Sequence, residues 1–99
     1  MKWRAGYIIV FIVMKIEKEF VLREIAGEYI LIPIGSTARE LNGLITLNEV
    51  GVSIWKLLQN DVTADEIVQG ILAEYEVEES VAREDVNEFL DVLREHNIL

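Results

Sequence analysis

Histidine, cysteine and clustered carboxylates build most catalytic and metal sites, and this chain offers few of them. It contains one histidine, His96, and no cysteine. A single histidine without cysteine cannot form a usual zinc site. The absence of cysteine also removes disulfides, iron–sulfur ligation and thiolate nucleophiles. We therefore expect no metal and no cofactor, and we expect His96 to have a structural role near a helix C-terminus.

The remaining polar groups do not form a recognisable catalytic pattern. Gly51-Val52-Ser53 is not a nucleophile elbow, because Trp55 stands where the second glycine would be. The carboxylates between Glu74 and Glu79 match no calcium-loop spacing, and no glycine-rich phosphate loop occurs. The sequence thus predicts a binding protein and not an enzyme.

Charge is distributed unevenly along the 99 residues, whose net charge is −9. Residues 1–60 carry a net charge of +1, and residues 61–99 carry −10. An acidic second half repels phosphate backbones, which argues against nucleic acid as a partner. The chain has no cysteine and so gives no sign of an oxidising compartment. A cytoplasmic location is therefore expected.

The first thirteen residues differ from the rest. Met1 to Arg4 is basic, and Tyr7 to Met14 is an unbroken apolar run of eight residues. Eight residues are too few to cross a bilayer, which requires about 20, and no small-residue cleavage site follows. We expect no membrane partner. Residues 1–13 are predicted to be an extension of the domain. Its predicted conformation is an extra strand, packed on the domain or on a second copy. The domain itself is predicted to span residues 14–99.

Three short strands are predicted next. Phe20 to Ile25 and Glu28 to Ile34 flank Ala26-Gly27, which suits a tight hairpin turn. Pro33 has no N–H, so that end of the second strand should lie at a sheet edge or stop pairing. Gly35-Ser36 is predicted to be a turn, and a third strand is predicted within Glu40 to Leu47, interrupted at Asn42-Gly43.

Three helices are predicted after the strands. Thr46 and Glu49 have capping-box spacing, as do Thr63 and Glu66, and Ser80 is the expected cap of the last helix. Each helix shows an apolar stripe at helical spacing. The stripes consist of Val50, Ile54, Leu57 and Leu58; of Ile67, Val68, Ile71, Leu72 and Tyr75; and of Ala82, Val86, Phe89, Leu90 and Leu93. Asn97 is the expected stop, with Ile98-Leu99 folding back onto the core.

Strands followed by helices indicate an α+β fold with a three-stranded antiparallel sheet and three helices on one face, similar to a winged helix-turn-helix. Such a sheet has two edges, and an unpaired edge can accept a partner strand. If the third strand is an edge beside the last helix, an apolar groove lies between them. Seven residues are candidates to line it, although most of them could instead belong to the core: Leu41, Leu44, Ile45, Val86, Phe89, Leu90 and Leu93.

Several segments together resemble the PqqD family. They are Phe20 to Glu24, Glu40 to Gly43, Ile45 to Glu49 running into Ile54-Trp55, Thr63 to Ile67, Leu72 to Val77 and Asp85 to Leu93. The resemblance covers about Ile16 to Leu99, and its most specific part is the Leu-Asn-Glu segment that precedes Ile-Trp. Residues 1–13 lie outside it.

The resemblance implies a RiPP recognition element, a winged-helix-like domain that binds the leader of a ribosomally synthesised precursor peptide. In that family the leader adds as a strand to the third strand, packs against the third helix and is presented to a modifying enzyme, often a radical S-adenosylmethionine enzyme. The expected peptide-binding residues are Leu41, Gly43, Leu44, Ile45, Thr46, Val86, Phe89, Leu90 and Leu93. The resemblance does not specify which natural product is made.

Two other functions stay open. One is an oligomerisation or protein-interaction module, in which a homodimer forms through the N-terminal apolar strand or the sheet edge. The other is a winged-helix transcriptional regulator. The acidic second and third predicted helices disfavour that regulator, because a helix that enters the major groove needs basic or amide side chains.

Overall fold

The computed structural model describes residues 12–41 and 43–99. These residues form three strands and four helices. Their bounds are β1 Phe20–Ile25, β2 Glu28–Pro33, α1 Gly35–Glu40, β3 Ile45–Leu47, α2 Glu49–Leu57, α3 Ala64–Glu74 and α4 Glu79–Glu95. The α+β class and the antiparallel meander, with strand order β1-β2-β3, are confirmed. The winged helix-turn-helix description fits only approximately.

The β1–β2 hairpin turns at the predicted dipeptide. Ala26 and Gly27 both have positive φ, of 53° and 81°, as a two-residue type I′ turn requires. The pairing of β2 with β3 runs only from Tyr29 to Leu31 on the β2 side. It ends before Pro33, which has no N–H to donate, whereas the pairing of β2 with β1 continues to Pro33.

The third strand is shorter than predicted, and a helix precedes it. β3 lies within the predicted stretch of residues 40–47 but covers only three of them, and α1 occupies Gly35–Glu40 where a turn was expected. Thr37 explains why α1 is held in place. It is buried, and its hydroxyl oxygen accepts a hydrogen bond from the Glu19 N–H at 2.9 Å.

Two of the three predicted helix caps are wrong. Thr46 lies within β3, and Asn48 caps α2 instead, its side chain accepting from the Gly51 N–H at 2.8 Å. Ser80 lies inside α4, whose N-cap residue, Glu78, forms no side-chain cap. The third prediction, the Thr63–Glu66 capping box of α3, is confirmed with both hydrogen bonds present.

The core lies between the sheet and the helices. Its fully buried side chains come from β2, α2, α3 and α4 and from the turn after α2; the largest are Leu31, Ile54, Leu58, Ile67, Val68, Val86, Leu90 and Leu93. Phe20 of β1 meets Trp55 of α2 edge to face, with ring centroids 5.2 Å apart. Trp55 is therefore a core residue, 5 % exposed.

Both ends of the described chain join this core. Met14 exchanges two backbone hydrogen bonds with Val62, at 2.7 and 2.9 Å, and Ile16 donates to the Leu58 carbonyl at 2.9 Å. At the other end Asn97 adopts φ 58° and Ile98 is buried, which confirms the predicted stop and fold-back. Most of the predicted extension, residues 1–11, lies outside the described residues, so its predicted strand and the domain boundary at Met14 stay predictions.

Candidate functional site

A groove of about 570 Å³ lies between β3 and α4. One wall is the stretch Leu44 to Asn48, which contains β3, and the floor comes from Val50, Gly51 and Ile54 of α2 together with Ile98. The opposite wall is one face of α4, with residues three and four positions apart: Asp85, Glu88, Phe89, Val92, Leu93 and His96. The volume of the groove lies in the range of ligand-binding clefts.

The strand wall of the groove is a free sheet edge. The Ile34 N–H donates to the Glu19 carbonyl at 3.1 Å, so this pair and every second pair along the β1–β2 register exchange hydrogen bonds. Tyr29 and Leu31 therefore direct their N–H and C=O groups towards β3, where Leu47 and Ile45 oppose them. Between them, Thr46 directs its own backbone groups away from β2. Among the described residues no strand pairs with that side of β3.

Side chains along β3 alternate between the two faces of the sheet. Ile45 and Leu47 are opposite Leu31 and Tyr29, and Leu31 is buried under the helices. They therefore point to the helix side, into the groove, whereas the exposed Thr46 points to the other face. The outward-facing N–H and C=O groups of Thr46 therefore lie between the apolar side chains of Ile45 and Leu47, which face α4.

Gly51 allows the two walls to approach each other. A Cβ at this position would lie 3.3 Å from Cε2 of Phe89 and 3.4 Å from Cβ of Leu47. These distances are close to the limit of van der Waals contact, so a larger side chain would push the Phe89 ring away from the strand. The absence of a side chain at Gly51 thus keeps Phe89 over the end of β3.

His96 closes the groove at the C-terminal end of α4. Its Nδ1 donates to the Val92 carbonyl at 2.9 Å, and the same carbonyl accepts the His96 backbone N–H at 3.2 Å. This contact agrees with the structural role expected for the only histidine of the chain.

Five of the nine residues expected to bind a peptide line this groove: Leu44, Ile45, Thr46, Phe89 and Leu93. Val86 and Leu90 do not line it, because they are 0 % and 1 % exposed and point into the core. Leu41 is the C-cap residue of α1, and Gly43 lies in the turn before β3 with φ 112°. Neither contributes to the groove walls.

The sequence did not separate two neighbouring faces of α4. The core stripe of Ala82, Val86, Leu90 and Leu93 and the groove face run side by side, and Leu93 belongs to both. Asp85, Glu88 and Val92 were missed because the first two are charged and Val92 lies outside the apolar stripe predicted for this helix. The exposure of Val92, 45 % for a large apolar side chain, is a signal that becomes visible only in the fold.

The described residues hold no group of three or more metal-ligating side chains. No helix within them has the length and hydropathy needed to cross a membrane. What they do hold, an open strand edge bordering an apolar cleft, is the geometry that accepts an extended chain.

Comparison with known proteins gives one family and one solved structure. A family model described as coenzyme PQQ synthesis protein D (PqqD) matches residues 12–99. A solved structure described as TbiB1 in complex with the TbiA(beta) leader peptide is similar, with 31 % sequence identity and a TM-score of 0.66. The match covers 87 % of this chain and 94 % of that one. No curated protein matches.

Proposed function

The chain belongs to the PqqD family of RiPP recognition elements, and from that premise we propose that it binds the leader segment of a ribosomally synthesised precursor peptide. It acts without catalysing a reaction itself. The observation that carries this proposal is the edge of β3 at Thr46, which has no partner strand within residues 12–41 and 43–99 and is bordered by the apolar groove under α4. The leader-peptide complex of the similar TbiB1 structure supports the same class of ligand.

The leader pairs with β3 by strand addition. Thr46 offers one N–H donor and one C=O acceptor to it. A leader residue directly opposite Thr46 shares its outward face, because opposite residues on adjacent strands point to the same side of the sheet. The leader residues on either side of that position therefore enter the groove beside Ile45 and Leu47. This geometry favours two apolar side chains spaced two residues apart.

The partner that uses the bound peptide is a modifying enzyme, which the family leads us to expect to be a radical S-adenosylmethionine enzyme. The domain raises the effective concentration of the precursor near that enzyme. All chemistry then belongs to the enzyme, and this chain supplies affinity and register.

Titration calorimetry tests the proposal directly. The full chain is titrated with a synthetic leader peptide of the precursor encoded next to its gene. We expect saturable binding at low micromolar concentration or tighter. The function would be rejected if tens of micromolar peptide produced neither a heat of binding in calorimetry nor a chemical-shift change in NMR spectra of the protein.

A homodimer is the alternative use of the same edge, because a second copy of β3 can pair with the first. Size-exclusion chromatography with light scattering on the full chain separates the two. A dimer that dissociates when leader peptide is added would mean that both occupants compete for β3. A dimer unaffected by the peptide would have to use another surface.

A further inference from the structure

The groove is apolar at its centre and acidic on one rim. Asp85 and Glu88 of α4 line it, and both are exposed. Among the described residues that line the groove there is no lysine or arginine. A peptide entering here meets two carboxylates that no lysine or arginine among these described lining residues balances.

The basic side chains of the same helix pair elsewhere. Arg83 contacts Asp65 at 3.0 Å and Glu79 at 4.0 Å, and Arg94 contacts Asp91 at 3.2 Å. Within residues 12–41 and 43–99, neither Asp85 nor Glu88 has an ion-pair partner. Of the six carboxylates of the helix, Glu79 and Asp91 contact arginine and Asp85 and Glu88 line the groove. Glu84 and Glu95 are exposed and do neither.

We infer that the groove selects a basic leader segment, in which a lysine or arginine accompanies the apolar pair and contacts Asp85 and Glu88. This inference rests on the proposed function and goes beyond it by specifying the chemistry of the ligand. Charge complementarity at a rim adds little affinity but discriminates strongly among otherwise similar partners.

The position of the basic residue follows from two repeats. Asp85 precedes Phe89 by four residues, which corresponds to about 6 Å along a helix. Groove-facing positions of an extended chain recur every second residue, or about 6.6 Å. The basic residue is therefore expected two residues away from the apolar pair, always in the same direction along the peptide sequence. From there its long side chain reaches Asp85 and Glu88.

A display library of random linear peptides selected on the full chain provides the probe. We expect selected sequences to share two apolar residues spaced two apart and a lysine or arginine two residues beyond, always on the same side. Apolar pairs without that basic position would overturn the inference and leave the proposed function standing. No sequence-specific enrichment would reject both.

Binding of one selected peptide to protein variants then tests the contact itself. The double variant Asp85→Asn/Glu88→Gln should weaken binding by about two- to five-fold, the size of one solvent-exposed ion pair. The matched control is Glu84→Gln/Glu95→Gln, which removes the same charge from exposed α4 positions outside the groove. It should change affinity less than two-fold, by about the effect of general charge.

Two further measurements make the result specific. Replacing the basic residue of the peptide by glutamine should abolish the difference between wild type and the Asp85/Glu88 variant. Raising NaCl from about 0.1 M to about 1 M, which shortens the Debye length from about 10 Å to about 3 Å, should do the same. Equal losses in both double variants would show that overall charge, and not these two carboxylates, attracts the peptide.

Discussion

Replacement of Thr46 by proline removes the outward-facing N–H of β3 and leaves the hydrogen bonds between β2 and β3 in place. The side chain of Thr46 is exposed, and its backbone groups do not take part in the β2–β3 ladder. Ile45, the residue before the new proline, already has the extended backbone that this position favours. We therefore expect the variant to fold, with a change in the free energy of unfolding of about 1 kcal/mol or less.

The expected loss of leader affinity is set by one backbone hydrogen bond. Such a bond contributes about 0.5–1.5 kcal/mol net, so Thr46→Pro should raise the dissociation constant about 2- to 12-fold. The proline ring adds to this loss, because it projects into the space of the incoming strand. Titration calorimetry with the leader peptide measures the affinity, and urea denaturation followed by circular dichroism measures the stability.

Two control variants separate the backbone from other effects. Thr46→Val retains the N–H and the shape of the side chain, so it should bind as wild type does. Ile45→Pro removes an N–H that points towards β2 and leaves the Leu31 carbonyl unpaired. It should destabilise the fold by about 1–3 kcal/mol. If folded Thr46→Pro binds the leader as tightly as Thr46→Val, strand addition at this edge is wrong.

Three other predictions concern the groove, the core beneath it and the N-terminal cap of α3. Leu44→Asp combined with Phe89→Ala should abolish leader binding in calorimetry while the circular dichroism spectrum stays native; a variant that only unfolds would contradict the assignment of these residues to the groove. Leu90→Ala should lower the free energy of unfolding by about 2–5 kcal/mol in urea denaturation, because Leu90 is 1 % exposed. Thr63→Ala should cost about 1 kcal/mol by loss of the α3 cap. Ser80→Ala, at a position that caps nothing, should be nearly neutral in the same measurement, and equal effects of the two would refute the cap assignment.

Sequence patterns predicted the long helices well, because their signals are local. α3 combines a capping box with an apolar stripe, and α4, which is 17 residues long, carries a stripe from Ala82 to Leu93. The hairpin was predictable for the same reason, since Ala26-Gly27 meets the backbone demand of a tight turn. Short elements without such signals were not. α1 has no apolar stripe, and its N-cap residue, Ile34, provides no side-chain cap.

The start of α2 shows how tertiary pairing overrides a local pattern. Thr46 and Glu49 have correct capping-box spacing, but pairing with β2 continues through Leu47. The helix can begin only after the strand ends, so Asn48 provides the cap. Similarly, Val86 and Leu90 have the same apolar character as Phe89, and only the position of α4 over the sheet decides which of them is enclosed and which faces the groove.

The brevity of β3 has a consequence for how the protein behaves at high concentration. A strand of three residues exposes few consecutive backbone groups, and a positive-φ glycine, Gly43, precedes it. Long flat edges propagate sheets from molecule to molecule, whereas a short one interrupts that growth. Together with a net charge of −9, this favours resistance to fibril formation, although β3 has no partner strand on its outer side among the described residues.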